Sequence, residues 1–211
     1  MLSCMGSKTS LKCYKLFKKL WKLKMALYVR KIRSDSNIDC FLNAKNFDTV
    51  KGDVVTELNV SDGGDLSVWK INNPQDKEEL NKVYISIAAS LKKCEDIQFI
   101  LIYDTDLSSH NLNQPQNQSV EIGLCDELQK KHHNIKEIEI RNIKDCLQLY
   151  YDILKNDDPD NPSRLIYIEG SNMARMLLEG KKSSLIKEDC NKELFGYIKK
   201  HYRAIFDEIM K

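Results

Sequence analysis

Two aspartates, Asp104 and Asp106, stand at i, i+2 at the end of the stretch QFILIYDTD, residues 98–106. Carboxylates so spaced suit a hard divalent cation such as Mg²⁺ or Mn²⁺, which prefers oxygen ligands. An ion held there would neutralise phosphate oxygens and polarise a leaving group. His110 follows four residues after Asp106, in a polar stretch, and is the histidine best placed to act beside them as acid or base. The bland alternative is that Asp104 and Asp106 end a strand and open a turn, as aspartates commonly do through local hydrogen bonds.

The segment ILIYDTDL, residues 100–107, resembles the DxD motif of nucleotide-sugar glycosyltransferases. It also resembles the first motif of haloacid-dehalogenase-like phosphatases, in which the first Asp is the nucleophile and the second the acid/base. That second resemblance has a further partial match in LIYIEGSNMARMLLEG, residues 165–180, which is similar to the family's later strand, loop and helix. The family has a Gly-Asp pair at that loop and another Asp shortly after. Here Glu169-Gly170 stands in reverse order and Ala174 occupies the later acid position, so the metal ligands that the family uses are missing. What the resemblances imply is a Mg²⁺- or Mn²⁺-dependent enzyme on a phosphate-containing substrate, with Asp104 and Asp106 as ligands.

Other chemistry-bearing residues say less. His132 and His133 lie in a charged stretch and read as solvated, whereas His201 falls on an apolar helix face and reads as a core histidine. Cys125 and His133 are close enough in sequence to be weighed as a nucleophile pair, with no other support. Seven cysteines, an odd number, occur without any CxxC. That pattern argues against a disulfide framework or a zinc knuckle and for a reducing cytosol. The acids of 156–163, NDDPDNPS, read as a solvated break in the chain.

Charge is unevenly placed. Residues 1–24 hold seven lysines and no acid, so with a total of +2 the remaining residues carry −5. An acidic body lacks the basic face that nucleic-acid binding demands. On a helical wheel the lysines Lys12, Lys15, Lys18, Lys19 and Lys22 oppose an apolar side that includes Phe17, Leu20 and Trp21. A basic amphipathic helix over 11–24 suits a membrane surface or a partner protein. Its apolar face could equally dock on the protein's own body. Met25 also reads as a natural start, which would leave 1–24 untranslated. No apolar run reaches the roughly 18 residues that a membrane span needs. Abundant lysine and asparagine suggest an AT-rich bacterium.

The elements that must position Asp104 and Asp106 follow from periodicity. A continuous apolar run over 99–103 predicts a strand buried on both faces. Strands are also expected at 26–32, 66–71 and 164–168, and 136–140 reads as a short strand or the lead into the next helix. Apolar residues at i, i+3, i+4, i+7 spacing predict a helix over 75–93, capped by Asn73 with Pro74 in its first turn. Further helices are expected at 142–155, after Gly170-Ser171-Asn172 through Leu178, and over 189–209. Strand, helix and strand over 66–103 suggest a βαβ unit. The fold expected is α/β: one mixed sheet of four or five strands with helices packed on it, over residues 25–211, subdivided if anywhere at 156–163. With no complete catalytic motif, the functional expectation is a cytosolic bacterial interaction or regulatory protein, without cofactor, acting on another protein.

Overall fold

The computed structural model describes residues 26–32, 35–58, 64–118, 123–138, 140–155 and 164–211. The basic amphipathic segment 11–24 and the break at 156–163 lie outside the described residues. Six strands form one sheet: β1 (Leu27–Lys31), β2 (Leu66–Ile71), β3 (Ile97–Tyr103), β4 (Gln116–Asn117), β5 (His132–Ile135) and β6 (Leu165–Ile168). Their order is β4-β5-β2-β1-β3-β6. Every pairing is antiparallel, so the sheet is not mixed and has one strand more than expected.

The helix after β2 does lead to β3, and the two strands run the same way. They are not neighbours, because β1 lies between them and pairs antiparallel with both. No feature of residues 66–103 encodes this insertion. It depends on which edge β1 joins, and β1 lies outside that stretch.

Alternation along the strands sorts the core into two layers, since successive side chains point to opposite faces. Leu27, Val29, Trp69, Ile71, Ile97 and Phe99 face one way. They are covered by α3 (Lys77–Ala88), α7 (Gly170–Lys182), α8 (Lys192–His201) and α9 (Arg203–Met210). Tyr28, Leu66, Val68, Ile100, Ile102 and Ile135 face the other way. Over them lie α1 (Asp35–Asn43), α2 (Val55–Leu58) and α6 (Ile140–Leu154). Two short helices complete the fold, α4 (Asp104–Ser109) and α5 (Asp126–Gln129). The strand QFILIY is therefore buried on both faces, as its composition predicts.

Several boundaries move for identifiable reasons. Helix α3 starts at Lys77, not at Gln75, because the Asp76 carboxylate accepts from the N–H groups of Glu78 and Glu79. Asn73 instead closes a turn onto Gln75. Residues 136–138 lead into α6, the second of the two readings, and the strand forms before them, as β5. This places His132 and His133 in the sheet, 6% and 9% exposed, where solvated side chains were expected. The last helix breaks at Tyr202 (φ −123°, ψ 42°) into α8 and α9, and His201 is exposed, stacked on Tyr197.

Candidate functional site

Asp104 continues the β1–β3 ladder by one residue. Its N–H donates to Ala26 O at 3.1 Å, and its Oδ2 accepts from Ala26 N at 3.3 Å. The other oxygen accepts from Thr105 N at 2.8 Å. Asp106 lies in the first turn of α4, where a carboxylate is favoured by exposed N–H groups. Its Oδ2 accepts from Tyr103 N at 2.7 Å and also from the Arg164 guanidinium. Arg164 leads into β6; its side chain is 8% exposed and its charged end lies 5.4 Å from the centre of the Tyr103 ring. The two aspartates thus join the starts of β1 and β6 to the end of β3.

His110 ends α4, half-buried. Its Nδ1 is 2.7 Å from Asp106 O and 3.1 Å from Ser109 Oγ, and its Nε2 is 2.8 Å from Asp152 Oδ2 on α6. Gln148 Nε2 donates to the other Asp152 oxygen at 2.8 Å. By distance alone, Ser109, His110 and Asp152 form a serine–histidine–carboxylate line. The hydrogen-bond chemistry differs from that of a nucleophile triad. A carbonyl oxygen can only accept, so Nδ1 carries a hydrogen and donates to Asp106 O. It cannot then take the Ser109 proton, and that hydroxyl donates to the same carbonyl at 2.9 Å.

Of the residues singled out from the sequence, the structure places Asp104 and Asp106 on one short helix and His110 directly after its end. It adds Asp152, Ser109 and Arg164, which the sequence reading passed over. Arg164 is 58 positions from Asp106, and Asp152 is 42 positions from His110. Only a lone arginine opening an apolar strand hinted at the first. The structure does not bring Cys125 and His133 together. Cys125 packs with the α3 and α7 layer, whereas the His133 ring meets Tyr28 on the opposite side of the sheet. Burial pushes the Cys94 and Cys146 thiols up to about 12, so neither is poised as a nucleophile.

Among the described residues, no group of three or more His, Cys, Asp or Glu side chains is placed to hold a metal ion. Asp104 and Asp106 fit a cation poorly. Each carboxylate already accepts backbone N–H groups, and Asp106 faces an internal cation. No described helix is long and apolar enough to cross a membrane. No family model, no curated protein and no solved structure matches the chain.

Proposed function

We propose that this chain is an interaction or regulatory protein without catalysis of its own, in which Asp104-x-Asp106 is structural. The observation that carries this reading is the occupancy of Asp106. Its carboxylate caps its own helix and neutralises a buried arginine. A cation drawn to this carboxylate would have to share it with that guanidinium, whose like charge opposes it.

A thermal-shift titration with Mg²⁺ and Mn²⁺ tests it, comparing the native chain with Asp106→Asn. The expected result is a lower melting temperature for the variant and no metal dependence in either protein. A specific ion at 100 times its Kd would stabilise the fold by about 2.7 kcal/mol. A rise of that order in the native chain alone would overturn the reading.

One observation favours a second reading. His110 sits one turn after Asp106 and is oriented by Asp152, as an acid/base would be. In that case the chain is a Mg²⁺- or Mn²⁺-dependent enzyme on a phosphate-containing substrate, with Asp104 and Asp106 as ligands. Metal-dependent turnover of phosphomonoesters or nucleotide sugars that His110→Gln abolishes would support it. Absence of turnover would leave the structural reading standing.

A further inference from the structure

Strand β5 carries an unusual load for a strand near a sheet edge. Three consecutive polar residues, His132, His133 and Asn134, are buried there. Asn134 is fully engaged, donating to Asp65 Oδ2 at 2.9 Å and Gln118 Oε1 at 2.6 Å, and accepting from Ser67 Oγ at 3.3 Å. Each histidine makes one bond to a backbone carbonyl: His132 Nδ1 to Gln118 O at 2.8 Å and His133 Nδ1 to Lys131 O at 3.0 Å. Each Nδ1 therefore carries the hydrogen, and the neutral ring meets its environment as it stands. The His132 ring lies edge-on to Trp69 at 5.2 Å, and the His133 ring is tilted against Tyr28 at 6.1 Å.

Among the described residues, no carboxylate is free to welcome a positive charge on the pair. On β2 the charged neighbour is Lys70, next to Trp69 and cross-strand from the start of β5. On β4 the facing residues are Gln116 and Asn117, both uncharged. The flanking residues of β5 are Lys130, Lys131 and Lys136. The nearby carboxylates are committed elsewhere: Glu79 of α3 pairs with Lys131, and Asp65 binds Asn134 and lies 3.7 Å from Lys136. Burial pushes both imidazoles below their usual range; a charge on His133 further opposes that of His132, and Lys70 opposes that of His133.

We infer that the β4–β5 edge is an acid-labile element: protonation of His132 and His133 releases β5 from β2 while the remaining sheet stays formed. The topology makes the opening local. Among the described residues, β5 pairs with β2 over four residues and has only the two-residue β4 beyond it, whereas β2 keeps its pairing to β1. The sign follows from linkage. Rings that are neutral when closed and free to protonate when open favour opening once the pH falls below the ordinary histidine value. Two such rings raise the opening constant by up to about 10³-fold between pH 7.5 and pH 5. Release would uncover the free edge of β2, with Val68 and Trp69, at acidic pH alone.

Amide hydrogen exchange on the native chain, corrected for intrinsic rates, tests this at pH 7.5, 6 and 5, alongside NMR titration of the histidine rings. The expected result is a steep loss of protection at 132–135 with β1 and β3 still protected, and ring midpoints below 6.5 for His132 and His133. In His133→Gln the pH-dependent loss should shrink to about 30-fold, since one titrating ring remains. Should that variant fail to fold, the native-chain exchange and titration decide the matter. Ring midpoints at or above 6.5, unchanged β5 protection at pH 5, or simultaneous opening of the whole sheet would each overturn the inference.

Discussion

Arg164 lies over the ring of Tyr103, and the same guanidinium ends on the carboxylate that caps the next helix, that of Asp106. A strand end, a helix start and an edge strand therefore depend on one ion pair whose arginine is buried and whose aspartate is part-buried. Breaking such a pair from one side leaves a buried charge, at a cost of about 3–5 kcal/mol. Arg164→Ala and Asp106→Ala should each lose that much in urea denaturation. Arg164→Ala combined with Asp106→Ala should lose less than the sum of the single changes. Additive losses in the double-mutant cycle would show that the pair contributes nothing as a pair.

A second ion pair joins α3 to β5. Glu79 binds Lys131 and also accepts from Asn72 N at 3.1 Å and Asn73 N at 2.9 Å. Burial pushes the Glu79 carboxyl up, but the Lys131 bond, the two N–H bonds and the Lys131 charge together bring it below its usual value. A depressed carboxyl stabilises the fold above the unfolded-state value, about 4.3, and that share is lost as pH falls through the lower folded value. Glu79→Gln should cost about 1–3 kcal/mol at pH 7. The gap should narrow below pH 4, as the native carboxyl protonates. A gap independent of pH would point to packing instead of charge.

Asn191 closes two helices at once. Its Oδ1 accepts from Leu194 N at 3.1 Å to start α8, and its Nδ2 donates to Ala89 O at 2.8 Å and Leu91 O at 2.6 Å, just past the end of α3. It does so in the left-handed region, φ 42°, which asparagine tolerates better than most residues. Asn191→Gly keeps that backbone accessible and should cost about 1–2 kcal/mol for the lost side-chain bonds. Asn191→Ala should cost about 1 kcal/mol more for the strained φ. Equal melting temperatures for the two variants would contradict this division.

Gly170 opens α7 where there is no room for a side chain. An added Cβ would meet the Tyr202 hydroxyl and lie 3.1 Å from the Glu95 carbonyl carbon. Tyr202 is itself anchored, its hydroxyl donating to Cys94 O at 3.2 Å. Gly170→Ala should therefore destabilise by about 1–3 kcal/mol despite being a better helix former. Tyr202→Phe in the same chain should recover part of that loss in a thermal melt. No recovery would place the conflict with the Glu95 backbone.

Much of the fold was legible where burial and periodicity act together. The run from Phe99 to Tyr103 identifies a strand buried on both faces, and the spacing of Val83, Tyr84 and Ile87 identifies the helix before it. Pairing order was not legible, because β1 joins β2 and β3 through backbone bonds that carry no residue signature. The histidines of β5 misled for a physical reason: flanking lysines suggest solvent, yet the backbone carbonyls of Gln118 and Lys131 satisfy the rings inside the sheet. Asp104 and Asp106 were visible as a motif, but Arg164, which defines the surroundings of Asp106, is remote in sequence.

The position of β6 has a consequence for synthesis. β3 is complete at Tyr103, but the strand that covers its outer edge ends at Ile168. At ribosomal speeds that interval, 65 residues, lasts about 3–13 s. During it, one of the most apolar strands of the chain has an unshielded flank. Translation speed over 104–168, and whatever holds the nascent chain in that window, should therefore govern the soluble yield more than the stability of the finished protein does.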